Sequence, residues 1–358
     1  MSNLSLQDRK KLFSIFENIE EDKKNLPPRT KNTKILLVDG TNTFIRSHCA
    51  NPALNEDGQH IGGVQGFFKS VGYAIRMLQP TRVIVAFDGK GGSQRRRALF
   101  KEYKGQRNTK VRLNRIYDDI SDADMEGKNM KAQMKMIALM MQNLPMNMMA
   151  IENIEADDAI AFMSTDMFNT DETLDIIIMS SDQDFYQLIN DKVRVWSPTK
   201  KRLYGKNEIF EEFGVTAQNF IHFKTLNGDN GDNIDGIKGI GLKTVKKLFP
   251  FLSEEVEYTT DDILNHARDN RNGKLKAYGN VADNELLLKR NFDLMQLQNI
   301  DISSHSKMTI QAATEKKIDR TNTFDLTRQL KDFKLFSAFP THHIWLKDTF
   351  GELDYYTK

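Results

Sequence analysis

Short apolar runs that stop abruptly at acidic residues set the hydropathy pattern of this chain. Ile35-Leu36-Leu37-Val38 runs into Asp39-Gly40, Val83-Ile84-Val85-Ala86-Phe87 into Asp88-Gly89, and Asp175-Ile176-Ile177-Ile178-Met179 into Ser180-Ser181-Asp182-Gln183-Asp184. Runs of this length closed by turn residues are the pattern of strands buried on both faces. A helical period over residues 64 to 78 separates the first two, which predicts a parallel α/β sheet. Shorter strands are expected at 193 to 196 and 202 to 204, around a turn at Ser197-Pro198. Residues 206 to 227 and 242 to 300 read as mostly helical, separated by a glycine-rich segment from Gly228 to Gly241. The methionines Met125, Met130, Met134, Met136, Met140, Met141, Met146, Met148 and Met149 read as one helix packing through adaptable thioethers.

Length and composition narrow the class. The 358 residues allow about two domains. With 39% hydrophobic and 28% charged residues, the chain is neither disordered throughout nor a coiled-coil rod. Lys+Arg number 51 and Asp+Glu 49, so any polyanion must be met by a local patch. The single cysteine, Cys49, excludes an internal disulfide framework and a Cys-rich zinc module, and points to a reducing cytoplasm. No run of about 18 apolar residues spans a bilayer, so a soluble protein with no membrane partner is expected. Residues 1–32 read as a charged extension carrying an apolar island, Leu12-Phe13-Ser14-Ile15-Phe16, ahead of Pro27-Pro28.

The candidate chemistry lies in the carboxylates. Asp39, Asp88, Glu152, Glu155, Asp157, Asp158, Asp182, Asp184, Asp229 and Asp232 stand at strand ends or helix starts. In an open α/β sheet, ligands bind in the crevice outside the carboxyl ends of the strands. Oxygen ligands without histidine or cysteine favour magnesium or manganese over zinc. Asp182 and Asp184, two apart, fall on one side of an extended segment. Asp229 and Asp232, three apart, suit a helical turn or a tight loop. Glu155 and Asp157 diverge on a regular helix, which places Glu155 at or before the N-cap of a helix carrying Ala159, Ile160 and Phe162. Two ions roughly 4 Å apart would suit in-line attack of water on a phosphodiester.

The cations are concentrated after the second strand: Arg95, Arg96, Arg97, Lys101, Lys104, Arg107, Lys110, Arg112 and Arg115 stand against one acid, Glu102. Phe100 and Tyr103 among them stack on bases or pack in the core. A second polyanion contact is expected at Gly228 to Thr244. Gly241 and Lys243 are not adjacent, which rejects a P-loop. A hairpin in which Gly239 and Gly241 bring backbone amides to a phosphate, next to Lys243, Lys246 and Lys247, fits better. Such contacts read the backbone rather than base sequence.

In their order, Val38-Asp39-Gly40, Phe87-Asp88-Gly89, Tyr103-Lys104-Gly105-Gln106-Arg107, Glu155-Ala156-Asp157-Asp158, Ser181-Asp182-Gln183-Asp184-Phe185 and Gly228 to Thr244 resemble the flap endonuclease and 5' to 3' exonuclease superfamily of structure-specific 5' nucleases. Trp196-Ser197-Pro198 and the N-terminal extension look most like the T-even bacteriophage RNase H branch, which removes RNA primers. The resemblance implies a PIN-like α/β domain at 33–220, with a mostly parallel sheet flanked by helices and an arch at about 90–145. It also implies a helical duplex-binding domain at 221–358, with a helix-three-turn-helix (helix-hairpin-helix) at about 221–300 and C-terminal helices beyond.

On matched positions, Asp39, Asp88, Glu155 and Asp157 would hold a first Mg2+ and Asp182, Asp184, Asp229 and Asp232 a second, with Mn2+ able to substitute; Asp158 belongs to the same motif. Lys104 and Arg107 would contact the scissile phosphate, and Arg46 would lie near a 5' phosphate. Arg95, Arg96, Arg97, Lys101, Tyr103, Lys238, Gly239, Gly241, Lys243, Thr244, Lys246 and Lys247 would contact DNA, with K+ in the hairpin. Asp235 stands where the family usually has proline. The partners implied are DNA with a 5' flap, fork or nick, an RNA–DNA hybrid, a sliding clamp through residues 12–16 and a single-strand-binding protein, for a monomer in the cytoplasm.

Three other classes compete. A catalytically weak DNA-binding module would lack carboxylates, and none is missing. An aspartyl-phosphate phosphatase would want an acid two residues after Asp39, where Thr41 stands. A small PIN-type ribonuclease would lack the hairpin.

Overall fold

The computed structural model describes residues 33–105, 123–273 and 275–357. The expected apolar runs are strands of one sheet: β1 (Lys34–Asp39), β2 (Arg82–Phe87), β3 (Asn147–Ala150), β4 (Asp175–Met179), β5 (Val193–Ser197) and β6 (Arg202–Tyr204). Their order is β3-β2-β1-β4-β5-β6, parallel except for β6. The sheet reads as continuous apolar runs because both faces are covered. Leu36, Val38, Val83, Val85, Ile177 and Met179 enter one core, and Ile35, Leu37, Ile84, Ala86, Ile176 and Ile178 the other.

The described helices, in chain order, are α1 (Gly40–Ala50), α2 (Gly62–Leu78), α3 (Gln94–Leu99), α4 (Ala123–Met141), α5 (Ala156–Phe162), α6 (Lys206–Phe213), α7 (Phe220–Asn227), α8 (Leu242–Leu248), α9 (Thr260–Asp269), α10 (Lys276–Asp283), α11 (Glu285–Met295), α12 (Ser304–Glu315), α13 (Thr323–Asp332) and α14 (His342–Tyr356). Among them no helix is long and apolar enough to cross a membrane. Val64, Phe67, Phe68, Val71, Ala74 and Ile75 give α2 one apolar stripe, and it packs over the sheet in the first core. Leu326, Leu330, Leu346, Phe350 and Leu353 of α13 and α14 join the same core. A Cβ on Gly72 would lie 3.2 Å from Thr349 and 3.3 Å from Trp345, so glycine lets α14 approach α2 closely. Arg76 donates to the Thr349 hydroxyl at 2.6 Å. On the other face, Phe220, Phe223, Leu226, Val245 and Leu248 share the core of α5 and the strands.

One expectation fails on the methionines. The helix ends at Met141, and Asn147–Ala150 is an edge strand paired with β2. Leu144-Pro145 stops the helix, and pairing with the open edge of β2 outweighs the helical propensity of Met146, Met148 and Met149.

The register fixes the edge that matters. Asp39 lies level with Ala86, and Val38 with Met179, so Asp39, Asp88 and the Ser180–Asp184 turn leave the sheet at one end, where the strand order switches between β1 and β4. Phe350 is fully buried between α14 and the sheet layer. Phe350→Ala should cost about 3–5 kcal/mol by cavity formation; urea unfolding checks this, and a loss below about 1 kcal/mol would show that α14 is not part of the core.

Candidate metal centre and active site

Local hydrogen bonding aims each carboxylate. Asp39 caps α1, its Oδ1 accepting from Asn42 N at 2.9 Å and its Oδ2 from the Ser180 hydroxyl at 3.0 Å. Thr41 Oγ1 accepts from Asp88 N at 2.8 Å, and Asp88 Oδ1 accepts from Ala156 N at 2.8 Å, tying the end of β2 to the start of α5. Ser181 Oγ donates to Asn42 Oδ1 at 2.6 Å, which joins the end of β4 to α1. Glu155 stands at the N-cap of α5, where its spacing from Asp157 put it. Asp184 lies in a 3-10 turn, Gln183–Leu188, so the pair does not share one extended segment; Asp182, itself extended, caps the turn, with Asp184 N donating to its Oδ1 at 2.9 Å. The cap bond explains the difference, because it curls the chain immediately after the strand. Asp229 caps a second turn, Asn230–Asp232, accepting from Gly231 N at 2.7 Å and Asp232 N at 3.3 Å.

The first group is Glu155, Asp157 and Asp158, each offering one carboxylate oxygen within 4.8 Å of the other two. Arg96, 2% exposed, braces it. Its guanidinium donates to Glu155, to Asp158 Oδ1 at 2.8 Å and Oδ2 at 3.1 Å, and through Nε to the Leu294 carbonyl at 2.9 Å. The placement of Arg96 among the DNA contacts is thereby corrected: a buried guanidinium spent on two carboxylates and a carbonyl is not available to a phosphate. Arg95 also pairs with Asp158, at 2.9 Å. Lys104 Nζ donates to Glu155 Oε1 at 2.5 Å. Tyr103 is buried too, its hydroxyl bonding Glu155 at 3.3 Å and Asp232 at 3.0 Å, so it links the two acidic groups and does not offer its ring to a base. Burial and Asp157 push Glu155 up. Burial opposes ionisation of Asp157, but Arg96 and Lys104 outweigh it and hold that carboxyl below its ordinary range. Burial would lower Lys104, yet Asp157, Glu155 and Asp232 keep it firmly charged.

The second group carries a cation that the sequence reading missed. Lys224 of α7 is buried, with Nζ 2.9 Å from Asp184 Oδ1 and 2.7 Å from Asp229 Oδ2. The available signal was a lone charge inside the apolar stretch Phe220–Leu226, which demands a buried partner. Lys224 holds Asp229 below the ordinary range against burial. It does not suffice for the rest: burial and Asp182 push Asp184 up to about 8, and burial with Asp88 and Asp182 pushes Asp39 up to about 8. Asp182 is also raised, by burial and by Asp232 and Asp229. These mutual influences join Asp39, Asp88, Asp182, Asp184, Asp229 and Asp232 in one field, and Lys104 feels Asp232 together with Glu155 and Asp157.

The remaining expected contacts fall in two places. Arg46 Nη2 donates to Ser70 Oγ at 3.1 Å and lies within the field of Asp39. Arg97 and Lys101 are exposed near the first group. Lys238, Gly239, Lys243, Lys246 and Lys247 are exposed around α8, and Gly241 and Thr244 are half-buried. Gly239 has φ +82°, the left-handed region that favours glycine, and a Cβ there would meet nothing, so the hairpin backbone is open to an approaching ligand. Arg107 and residues 12–16 lie outside the described residues.

The comparisons agree with this geometry. Residues 34–214 match the family described as 5'-3' exonuclease, N-terminal resolvase-like domain. The chain is 33% identical over 243 residues to the 5'-3' exonuclease of Bacillus subtilis, covering 65% of this chain and 73% of that protein. It is 29% identical over 225 residues to the DNA polymerase I of the same organism, of which it spans 23%. In fold it is similar to the bacteriophage T5 D15 flap endonuclease in a pseudo-enzyme–product complex with DNA and metal ions, with a TM-score of 0.56 and 22% identity over 85% of this chain and 99% of that one. The chain belongs to the 5'-3' exonuclease family, and it is a 5' nuclease.

Proposed function

We propose that this nuclease is magnesium-dependent and hydrolyses phosphodiesters near a single-strand to duplex junction, on a 5' flap, a fork, a nick or an RNA-primed strand, leaving 5'-phosphate and 3'-hydroxyl ends. The observation that carries this reading is the field of eight carboxylates with too few internal cations, in which Asp39 and Asp184 are pushed up to about 8. The donor set is all oxygen, which fits hard divalent ions. In this reading Asp39, Asp88, Glu155 and Asp157 hold one ion, and Asp182, Asp184, Asp229 and Asp232 the other. Bound there, the ions supply an activated water and stabilise the leaving oxygen.

The protein's own groups do the rest. Arg96 and Arg95 pair with Asp158, which stands with Glu155 and Asp157 in one group able to hold a metal ion. Lys104, kept charged beside Glu155, is the cation for the charge that develops on the scissile phosphate. Arg107 acts with it, and Arg46 takes the 5' phosphate. The hairpin amides at Gly239 and Gly241, with Lys238, Lys243, Thr244, Lys246 and Lys247, hold duplex backbone without reading sequence, and K+ supports the hairpin. Residues 12–16 dock on a sliding clamp, and the single-strand-binding protein of replication is the second partner. The T5 D15 protein, of the same fold, was solved with DNA and metal ions, which supports the substrate and cofactor class.

Two outcomes follow. On a 5'-labelled flap duplex and an RNA-primed nicked duplex, magnesium should give cutting at the junction; Asp182→Ala should slow it at least about 100-fold while binding persists. Binding without cutting by the wild type under any divalent ion would overturn the reading. The second outcome concerns pH. Asp39 and Asp184 titrate near 8 folded and near the ordinary carboxylate value of about 3.9 unfolded. Their contribution to metal-free stability is therefore full below about 4 and is lost as pH rises through about 8. Magnesium should raise the melting temperature more at pH 8 than at pH 6, measured against EDTA; a rise that is equal or smaller at pH 8 would contradict the carboxylate field.

A further inference from the structure

A second set of buried titratable groups, outside the carboxylates, lies where α4 meets the end of α1 and the start of α2. His48 of α1 is 1% exposed, His60 of the loop before α2 7% and Gln133 of α4 1%. The two imidazoles meet edge to face, with ring centroids 4.8 Å apart. Nε2 of Gln133 faces Nδ1 of both rings, at 3.4 Å from each. Glu126, two turns back along α4, places its Oε1 3.5 Å from His48 Nε2.

Backbone groups fix which way the Gln133 amide points. Its Oε1 accepts from Val64 N at 3.0 Å, and its Nε2 donates to the His60 carbonyl at 2.9 Å and to Asn129 Oδ1 at 2.6 Å. Turning the amide over would set N–H against N–H at Val64 and oxygen against oxygen at His60. An amide nitrogen only donates, so each Nδ1 that faces it is the bare, accepting nitrogen of a neutral ring. The ring proton then sits on Nε2, where His60 has the Asn51 carbonyl at 2.8 Å and His48 has Glu126. A second proton on either ring would put N–H against N–H in a buried site. Among the described residues the titratable groups facing His48 are His60 and Glu126, and α2 begins there with the uncharged Gly62-Gly63-Val64. Burial and His60 lower His48, and Glu126 opposes them only in part.

We propose that Gln133, His48 and His60 form a proton-operated latch, which seats the first half of α4 on α1 and the start of α2 at neutral pH and releases it in mild acid. The two halves of α4 are held differently. Ile137, Met140 and Met141 are buried in the apolar core, which no proton disturbs. Residues 123–133 bring only Met130 to the margin of that core, and their inward contacts are Glu126, Asn129 and Gln133, which recur at helical spacing on one face. Because His48 is lowered in the fold, its contribution to this seating is full above the unfolded value of about 6.5 and is lost as pH falls through the folded one. The chain that carries Lys104 and Arg107 runs on into α4, so the seating bears on the phosphate contacts proposed above, although the latch itself does not depend on that reading.

The test is NMR of the histidine rings in the full metal-free chain from pH 5 to 8, together with hydrogen exchange of the α4 amides at pH 5.5 and 7.5, corrected for the intrinsic rate. At neutral pH His48 and His60 should both carry the proton on Nε2, and His48 should titrate below the ordinary value of about 6.5. Residues 123–133 should exchange roughly tenfold faster in acid, while residues 137–141 change little. Gln133→Glu turns the facing donor into an acceptor, so it should raise His48 and leave residues 123–133 better protected in acid than at neutral pH. His48→Gln removes the titrating ring and should abolish the acid response. A proton on Nδ1 of either ring, a His48 midpoint at or above about 6.5 in the wild type, or exchange in residues 123–133 that acid does not speed overturns the latch, and so does an acid response that survives in His48→Gln. Should Gln133→Glu not fold, the wild type and His48→Gln decide the question. None of these readouts involves cutting, so failure of the latch and failure of the nuclease reading are told apart.

Discussion

Mutual repulsion among carboxylates is the constraint on which this structure turns. Asp39, Asp88, Glu155, Asp157, Asp182, Asp184, Asp229 and Asp232 leave one edge of a parallel sheet or stand at the turns packed against it; Asp39 and Glu155 are buried, Asp88 is exposed and the others are half-buried. At Asp39, Glu155, Asp182 and Asp184 burial disfavours the negative charge, and neighbouring carboxylates add to the penalty. Such a set persists in a folded protein because something positive is meant to be there.

The chain provides part of that positive charge itself. Arg96 and Lys104 serve the first group, and Lys224 the second. Each is buried or nearly so and donates to carboxylates, which sets the resting geometry without cancelling the whole charge. Where the internal cations reach, at Asp157 and Asp229, the carboxyls stay below their ordinary range. At Asp39, and at Asp184, where Lys224 does not offset burial and Asp182, the carboxyl is pushed up to about 8. A divalent ion held by these carboxylates would take the place of their protons and supply the positive charge that the set lacks. The hairpin cations Lys238, Lys243, Lys246 and Lys247 face solvent and have no ion pair among the described residues, whereas Arg96 is spent on carboxylates.

Much of this was legible in the sequence, because it depends on local pattern. Apolar runs ending in Asp-Gly placed β1 and β2 and their carboxylates, and the spacing of Glu155 and Asp157 placed the start of α5. What was not legible depends on contacts between distant segments. Met146, Met148 and Met149 look helical until the open edge of β2 pairs with them. Arg96 looks like one more cation in a basic run until Leu294, almost two hundred residues away, accepts its Nε–H and fixes it inward. Tyr103 likewise becomes a link between Glu155 and Asp232 only when the turn at 230–232 folds against it. Lys224 left a trace, a charge in an apolar stretch, but its partners lie on two separate turns.

The central claim is that the carboxylate field is built to exchange protons for divalent ions. Calorimetric titration of Mn2+ into the metal-free protein at pH 7, in two buffers of different ionisation enthalpy, tests it directly by counting ions bound and protons released. The result expected is saturable binding of two ions per chain with net proton release, because Asp39 and Asp184 are protonated before the metal arrives. Absence of saturable binding, or binding with no proton release, would contradict it.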